Sequence, residues 1–258
     1  MNWQSEIENF KKLAKLLADR GWAEANAGNF SVQLDEREKI FTDEMPKEYP
    51  LARPFTELTG KRILVTSTGS RSRDIPLDPA SGVGLAEIGE GGKSYRILWG
   101  AGPLTSEFPA HLLIHAMCLS CRPEIKAIIH THPPHLVALS HIREMRDGDA
   151  FNDTLRRMHP EVPILVPGGI HLLNFSIPGS FDLGEATRDA LRDRNVVFWS
   201  MHGIVSIGEN IDRALDQIEI LEKAANVYLI AISSGRNPVG LTDDEISNCR
   251  KFWKIEGD

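Results

Sequence analysis

Two periods of hydrophobic spacing alternate along the chain. Ile7, Phe10, Leu13, Leu16 and Leu17 recur at helical spacing behind Ser5, which with Glu8 makes a capping-box pattern, and Gly21 supplies a stop. The chain is therefore expected to open with an amphipathic helix. Phe30, Val32 and Leu34 then alternate as in a strand. Residues 35–61 carry Pro46, Pro50 and Pro54 without a clear period and are expected to form a long surface excursion. Clusters of β-branched and aromatic residues between turn residues predict short strands at 63–67, 95–99, 127–131, 163–166 and 196–199. Helices are predicted from Glu107, from Pro133, after Ser180 with Leu183, Ala186, Thr187, Ala190 and Leu191 on one stripe, from Ile211, and after Thr242 with its capping partner Glu245.

Strands and helices interleave irregularly rather than as a strict βαβ repeat. The expected fold is α/β and three-layered, with a central mixed or largely antiparallel sheet covered by helices. No Ser/Gly-rich, Pro-rich or single-sign stretch divides the chain and no internal repeat is visible, so residues 1–258 read as a single domain.

Composition narrows the function classes. With 258 residues, 41% hydrophobic and 25% charged, the chain can bury a sizeable core, which excludes disorder and fibre. Thirty-six acidic against 29 basic residues leave a formal charge of −7, and no dense Lys/Arg group offsets it, so no nucleic-acid partner is expected. The start lacks a basic segment followed by an apolar run, and no window approaches the roughly 18 apolar residues of a membrane span, so a cytoplasmic protein with no membrane partner is expected. Three cysteines point to a reducing compartment. Cys118 and Cys121 form a lone C-x-x-C late in an apolar helix, with no second pair to complete a four-thiolate site, and packed free thiols are the simpler expectation.

The histidines carry the candidate chemistry. His130-Thr131-His132 ends an apolar strand, where residues two apart share a face and can reach one ion together. Two histidines at a strand end are also common as polar surface. His202, at the end of the strand 196–199 beside the turn-permitting Gly203, offers a third imidazole, and the alternative for it is again a solvated strand end. Three imidazoles with an open fourth position describe a catalytic zinc site. His111 and His115, four apart on the helix from Glu107, are a competing pair, but Leu112 stands where an H-E-x-x-H protease needs its base. His135, His141, His159 and His171 have no partner at metal spacing.

Thr105-Ser106-Glu107-Phe108-Pro109 has the make-up of a helix start, and the same residues offer an anion exposed N–H groups and hydroxyls while Glu107 reaches a reacting carbon. Glu24-Ala25-Asn26-Ala27-Gly28-Asn29 and Thr66-Ser67-Thr68-Gly69-Ser70 are each either an ordinary turn or a second and third wall of such a cradle. Backbone dipoles, amides and hydroxyls, with Arg71 and Arg73 to steer, would let an acidic protein accept a phosphate without a basic cluster.

Taken in order, Asn26-Ala27-Gly28-Asn29, Thr68-Gly69, Thr105-Ser106-Glu107, His130-Thr131-His132 and His202-Gly203 resemble the class II aldolase/adducin family over most of the chain. Gly21-Trp22, Leu77-Asp78-Pro79-Ala80, Ile97-Leu98-Trp99-Gly100, Phe108-Pro109-Ala110-His111 and Pro178-Gly179 are most similar to its branch that cleaves L-rhamnulose 1-phosphate. The resemblance implies one Zn2+ per subunit on His130, His132 and His202, with Glu107 either capping the zinc or acting as base. It also implies that Asn26, Asn29, Thr68, Gly69, Thr105 and Ser106, with Gly28 between the two amides, bind the phosphate of a phosphorylated ketose. Glu161 stands where the family places an assisting carboxylate that enters a neighbouring subunit's site, within a homotetramer whose sites lie near subunit interfaces. Fuculose-phosphate aldolases, pentulose-phosphate epimerases and a thioribulose-phosphate dehydratase look alike around the three histidines and remain alternatives. So does a non-catalytic adducin-like interaction module, although such modules lack the metal histidines.

Overall fold

Asn2 opens the first helix in the computed structural model, which describes residues 2–35 and 46–255. Its side chain accepts from the Gln4 N–H, while the Ser5 hydroxyl donates to the Asn2 carbonyl, so the capping box expected at Ser5 does not form. Helix α1 (Trp3–Asp19) accordingly begins earlier than expected and buries Ile7, Phe10, Leu13 and Leu17. Strand β1 (Asn29–Leu34) follows, buried on both faces. Part of the expected excursion is built into the fold: β2 (Glu48–Pro50) pairs with a later strand, and Phe55 and Leu58 are buried around a 3-10 turn at Thr56–Leu58. Residues 36–45 of that stretch lie outside the described residues.

Next come β3 (Arg62–Thr66), α2 (Pro79–Gly82), β4 (Val83–Ile88), β5 (Ser94–Gly100) and α3 (Phe108–Cys121). They are followed by β6 (Ala127–Thr131), α4 (Pro134–Ser140), α5 (Gly148–Met158) and α6 (Val162–Leu165). The last elements are β7 (Ile170–Leu173), α7 (Phe181–Ala190), β8 (Val196–Trp199), β9 (Gly203–Gly208), α8 (Ile211–Ser233) and α9 (Asp243–Phe252). The capping box at Thr242 and Glu245 forms as expected. The strand expected at 163–166 is instead the one-turn helix α6, because Pro163 falls in its first turn, where a fixed φ and a missing N–H cost nothing.

The described strands form one sheet in the order β2-β5-β4-β3-β1-β6-β9-β8-β7, antiparallel except where β7 meets β8. Helices α1, α4, α5, α6 and α8 pack on one face, against Phe30, Val32, Ala127, Ile129 and Phe198. Helices α3 and α7 pack on the other, where Ile114, Met117 and Leu183 meet Ile128, Val197 and Val205. Three layers and a largely antiparallel sheet are thus as expected. Alternation along β6 sends Ala127 and Ile129 toward α8 and puts Ile128 and His130 on the α3 side, which fixes the face of the site.

All three cysteines are free. Burial pushes the Cys118 thiol up to about 12, whereas Cys121 is exposed, so close packing of the thiols holds for Cys118 alone. Among the described residues no helix is long and apolar enough to cross a membrane.

Candidate metal centre and active site

His130 is the last inward-facing residue of β6 and is almost fully buried, with the Trp199 ring 4.5 Å from its own. Its Nδ1–H donates to the Ile204 carbonyl of β9 at 3.0 Å, which turns Nε2 outward. His132 is tied at both ends: its N–H donates to the Trp22 carbonyl, and its Nδ1 pairs with the Glu24 carboxylate at 2.9 Å. Its Nε2 thereby comes within 3.2 Å of His130 Nε2. His202, in the turn between β8 and β9, brings its ring centroid to 5.1 and 4.9 Å from those of His130 and His132. One nitrogen from each of the three rings lies within 4.8 Å of the others.

This donor set fits a divalent ion. Burial holds His130 well below the ordinary imidazole range, and His132 and His202 depress it further. Burial likewise lowers His202, again with His132 adding to the effect. Rings held neutral keep a lone pair for a metal. Nδ1 of His202 is buried with no hydrogen-bond partner among the described residues, an orphan that a neighbouring cation would satisfy. The carboxylate behind His132 and the carbonyl behind His130 are the kind of outer partners that orient ligating imidazoles. Gly203 was expected to ease the turn, but the positive φ falls on Met201, at 61°. Gly203 instead makes room: a Cβ there would lie 2.6 Å from His132 Cδ2 and from the Thr131 carbonyl.

Glu107 caps α3, and its Oε2 lies 3.8 Å from His130 Nε2. The Asn29 side chain, at the start of β1, donates to the same oxygen at 2.9 Å. Asn29 Oδ1 faces His111 Nε2 at 2.6 Å, and Ser31 Oγ bridges His111 Nδ1 and His115 Nε2 at 2.7 and 2.9 Å. His111 and His115 are therefore interior members of a polar chain rather than a rival metal pair. Sequence reasoning missed Ser31, and spacing alone held no signal for it.

The Ser67–Leu104 bridge draws two expected cradle segments together. The Thr68 hydroxyl donates to the Leu104 carbonyl at 2.7 Å, and the Thr105 N–H donates to the Thr66 carbonyl. The N–H groups of Gly69 and Ser106 have no partner among the described residues and sit at exposed positions. Asn26 is exposed in the turn before β1, and Gly28 adopts φ 75°, where a Cβ would lie 3.3 Å from the His130 carbonyl oxygen. Asn29, expected in the cradle, is engaged by Glu107 and His111, which leaves one Nδ2 hydrogen for another acceptor. Gly179 and Ser180 close on Ser106, Glu107 and Trp199 around a small cavity of about 60 Å³. Glu161 is not brought to this group: it is exposed and lines a groove with Arg20, Trp22 and His135. His135, which has no partner at metal spacing in the sequence, pairs through Nδ1 with the buried Glu222 carboxylate at 2.6 Å.

Residues 8–229 match the family model described as Class II Aldolase and Adducin N-terminal domain. The chain belongs to the class II aldolase and adducin family. As a class II aldolase it is a lyase, and it is 33% identical over 256 residues to the rhamnulose-1-phosphate aldolase of Listeria innocua, covering 97% of this chain and 93% of that one. It is 31% identical to the protein of that name from Klebsiella pneumoniae, over 92% of this chain and 88% of the other. Among solved structures, the class II aldolase superposes on a sugar-phosphate aldolase from Thermotoga maritima with a TM-score of 0.83 and 39% identity, over 92% and 98% of the two chains. An L-fuculose 1-phosphate aldolase matches with a TM-score of 0.65 at 21% identity, over 96% of each chain, which establishes shared fold alone.

Proposed function

We propose that this class II aldolase cleaves L-rhamnulose 1-phosphate to dihydroxyacetone phosphate and L-lactaldehyde in the cytoplasm, with zinc held by His130, His132 and His202 and the whole chain acting as one domain. The observation that carries the chemistry is the Glu107 carboxylate, 3.8 Å from His130 Nε2 and beside three convergent imidazoles. The substrate rests on the relatives named rhamnulose-1-phosphate aldolase, 33% identical over 97% of the chain. When bound, zinc supplies a Lewis acid that polarises the ketose carbonyl and spreads the charge of the enediolate left by carbon–carbon cleavage.

The remaining work falls to side chains and backbone. In cleavage the proton lost by the hydroxyl that becomes the aldehyde oxygen is balanced by the one Glu107 delivers to the enediolate carbon, and in synthesis Glu107 removes that proton from dihydroxyacetone phosphate, a role that typically contributes roughly 10²–10⁴-fold. The exposed N–H groups of Gly69 and Ser106, the hydroxyls of Thr105 and Ser106, the Asn26 amide and the spare Asn29 hydrogen hold the phosphate at the start of α3. Gly28 lets the backbone between the two amides turn, and Thr68 locks the facing loop through Leu104. Glu161 assists from a neighbouring subunit of a homotetramer, and its exposure on the single chain is what such a role requires.

A coupled assay offering rhamnulose 1-phosphate, fuculose 1-phosphate and ribulose 5-phosphate tests the substrate. The first is expected to give the highest kcat/KM. Preference for either of the others would overturn the assignment.

A further inference from the structure

Two fully buried histidines, His111 and His115, have no part in the chemistry just described, yet both are hydrogen-bonded. Burial pushes His111 down to about 4 and His115 down to about 3, so both rings are neutral near pH 7 and each carries one N–H. The direction of every bond in their chain then follows from its outer end. A carboxylate only accepts, so the Asn29 group facing Glu107 Oε2 at 2.9 Å is the NH₂ of its amide. Asn29 Oδ1 therefore faces His111 and accepts from Nε2–H. His111 Nδ1 is left as an acceptor for the Ser31 hydroxyl proton. Ser31, having spent its proton, accepts from His115 Nε2–H. All four bonds point the same way, toward Glu107.

We propose that Ser31, His111 and His115 are positioning residues: with Asn29 they form a one-directional relay of hydrogen bonds that fixes the Asn29 amide and so holds the Glu107 carboxylate beside the His130, His132 and His202 cluster. The proposal rests on the reading of Glu107 as the proton-transferring group. Without the relay the Asn29 amide can turn over, which would present its oxygen to a carboxylate and push Glu107 away. The geometry is built by the two elements themselves. Asn29 and Ser31 are two apart on β1 and so span about 6.7 Å. His111 and His115 are four apart on α3 and span about 6.0 Å. The repeats match closely enough for each strand side chain to meet a helix imidazole. Asn29 and Ser31 are polar side chains on a strand paired on both edges, both are buried, and Ser31 is fully so, with no solvent to compete for its bonds.

Two measurements on the zinc-loaded protein test this. Long-range proton–nitrogen spectra of histidine-labelled enzyme are expected to show both His111 and His115 as the Nε2–H tautomer at pH 7; an Nδ1–H tautomer or a doubly protonated ring at either position would overturn the relay. The second measurement is kinetic, with rhamnulose 1-phosphate as substrate and with proton exchange of dihydroxyacetone phosphate in deuterated water. Ser31→Ala, which removes both of the hydrogen bonds Ser31 makes, is expected to lower kcat and the exchange rate at least about tenfold, with KM within about twofold and zinc per chain unchanged. His115→Gln, whose amide keeps a donor near the Nε2 position, is expected to retain more activity than His115→Phe. An unchanged kcat in Ser31→Ala, or a loss that follows zinc content or KM, would overturn the proposal, and that variant carries the kinetic test if His115→Phe fails to fold. Absence of wild-type turnover on rhamnulose 1-phosphate would count against the substrate assignment instead, while the tautomer and exchange measurements would still decide the relay.

Discussion

At Gly203 the absence of a side chain is what lets two imidazoles meet. Alanine would set a methyl 2.6 Å from His132 Cδ2 and 3.1 Å from His130 Cε1, and the Thr131 carbonyl blocks retreat. Overpacking of this kind costs about 1–3 kcal/mol. Gly203→Ala is expected to lower the melting temperature and reduce zinc per chain, measured by elemental analysis; full zinc at an unchanged melting temperature would contradict the packing argument. Glu107 makes the opposite case, because its shape matters less than its charge. Glu107→Gln keeps the side-chain volume and an oxygen for Asn29 but cannot take up a proton. Turnover should fall by roughly 10²–10⁴-fold while zinc stays bound, and near-normal kcat would remove Glu107 from the mechanism. The three histidines were legible because each ends a recognisable strand or follows one. Ser31 was not, because its partners lie 80 and 84 residues away and nothing local marks a buried hydroxyl as part of a network.

Between elements, the β1–α3 contact contributes to how the protein responds to acid. Unfolded, His111 and His115 take up protons near 6.5; folded, burial holds them to about 4 and about 3. As pH falls the unfolded chain binds protons first, so stability that is intact above pH 6.5 is lost progressively down to about pH 3. Each ring accounts for a few kcal/mol at most, on the order of 1.4 kcal/mol per unit of displacement. His115→Gln removes one of the two titrations, so urea unfolding should show a smaller loss between pH 7 and pH 5 than in the unaltered protein. Equal losses would place the acid sensitivity elsewhere. The same scale explains which elements could be read in advance. β6 and β8 are continuous apolar runs and α8 has a long helical period, so their identity survives any context. Pro163-Ile164-Leu165-Val166 is too short for a period to separate strand from helix, and the position of Pro163 in the first turn tips it to α6. Phe55 and Leu58 were hidden among prolines, and they are buried because β4 and β5 offer them an apolar face from farther along the chain.

The whole molecule sets the last constraint, since the groups gathered on one chain do not include every residue the proposed chemistry uses. Glu107 stands at the three-histidine centre, while Glu161 lies exposed in a groove with Arg20, Trp22 and His135. If Glu161 reaches a neighbouring copy's site, each active site draws one carboxylate from each of two subunits. Glu107→Gln and Glu161→Gln would then each be nearly inactive alone for different reasons. Unfolded together and refolded as a mixture, they would regain activity, because some sites would combine an intact Glu107 from one parent with an intact Glu161 from the other. Random assembly in a cyclic arrangement places both intact residues at about one quarter of the sites, so recovery should approach about one quarter of wild-type turnover. Sites contained within single chains would give no recovery at any mixing ratio. Light scattering on the same samples ties the result to assembly: recovered activity should be carried by an oligomer and disappear with dilution into monomer. No recovery in a fully re-formed oligomer would mean that Glu161 does not serve a neighbouring copy's site, against the role its exposure on the single chain suggests.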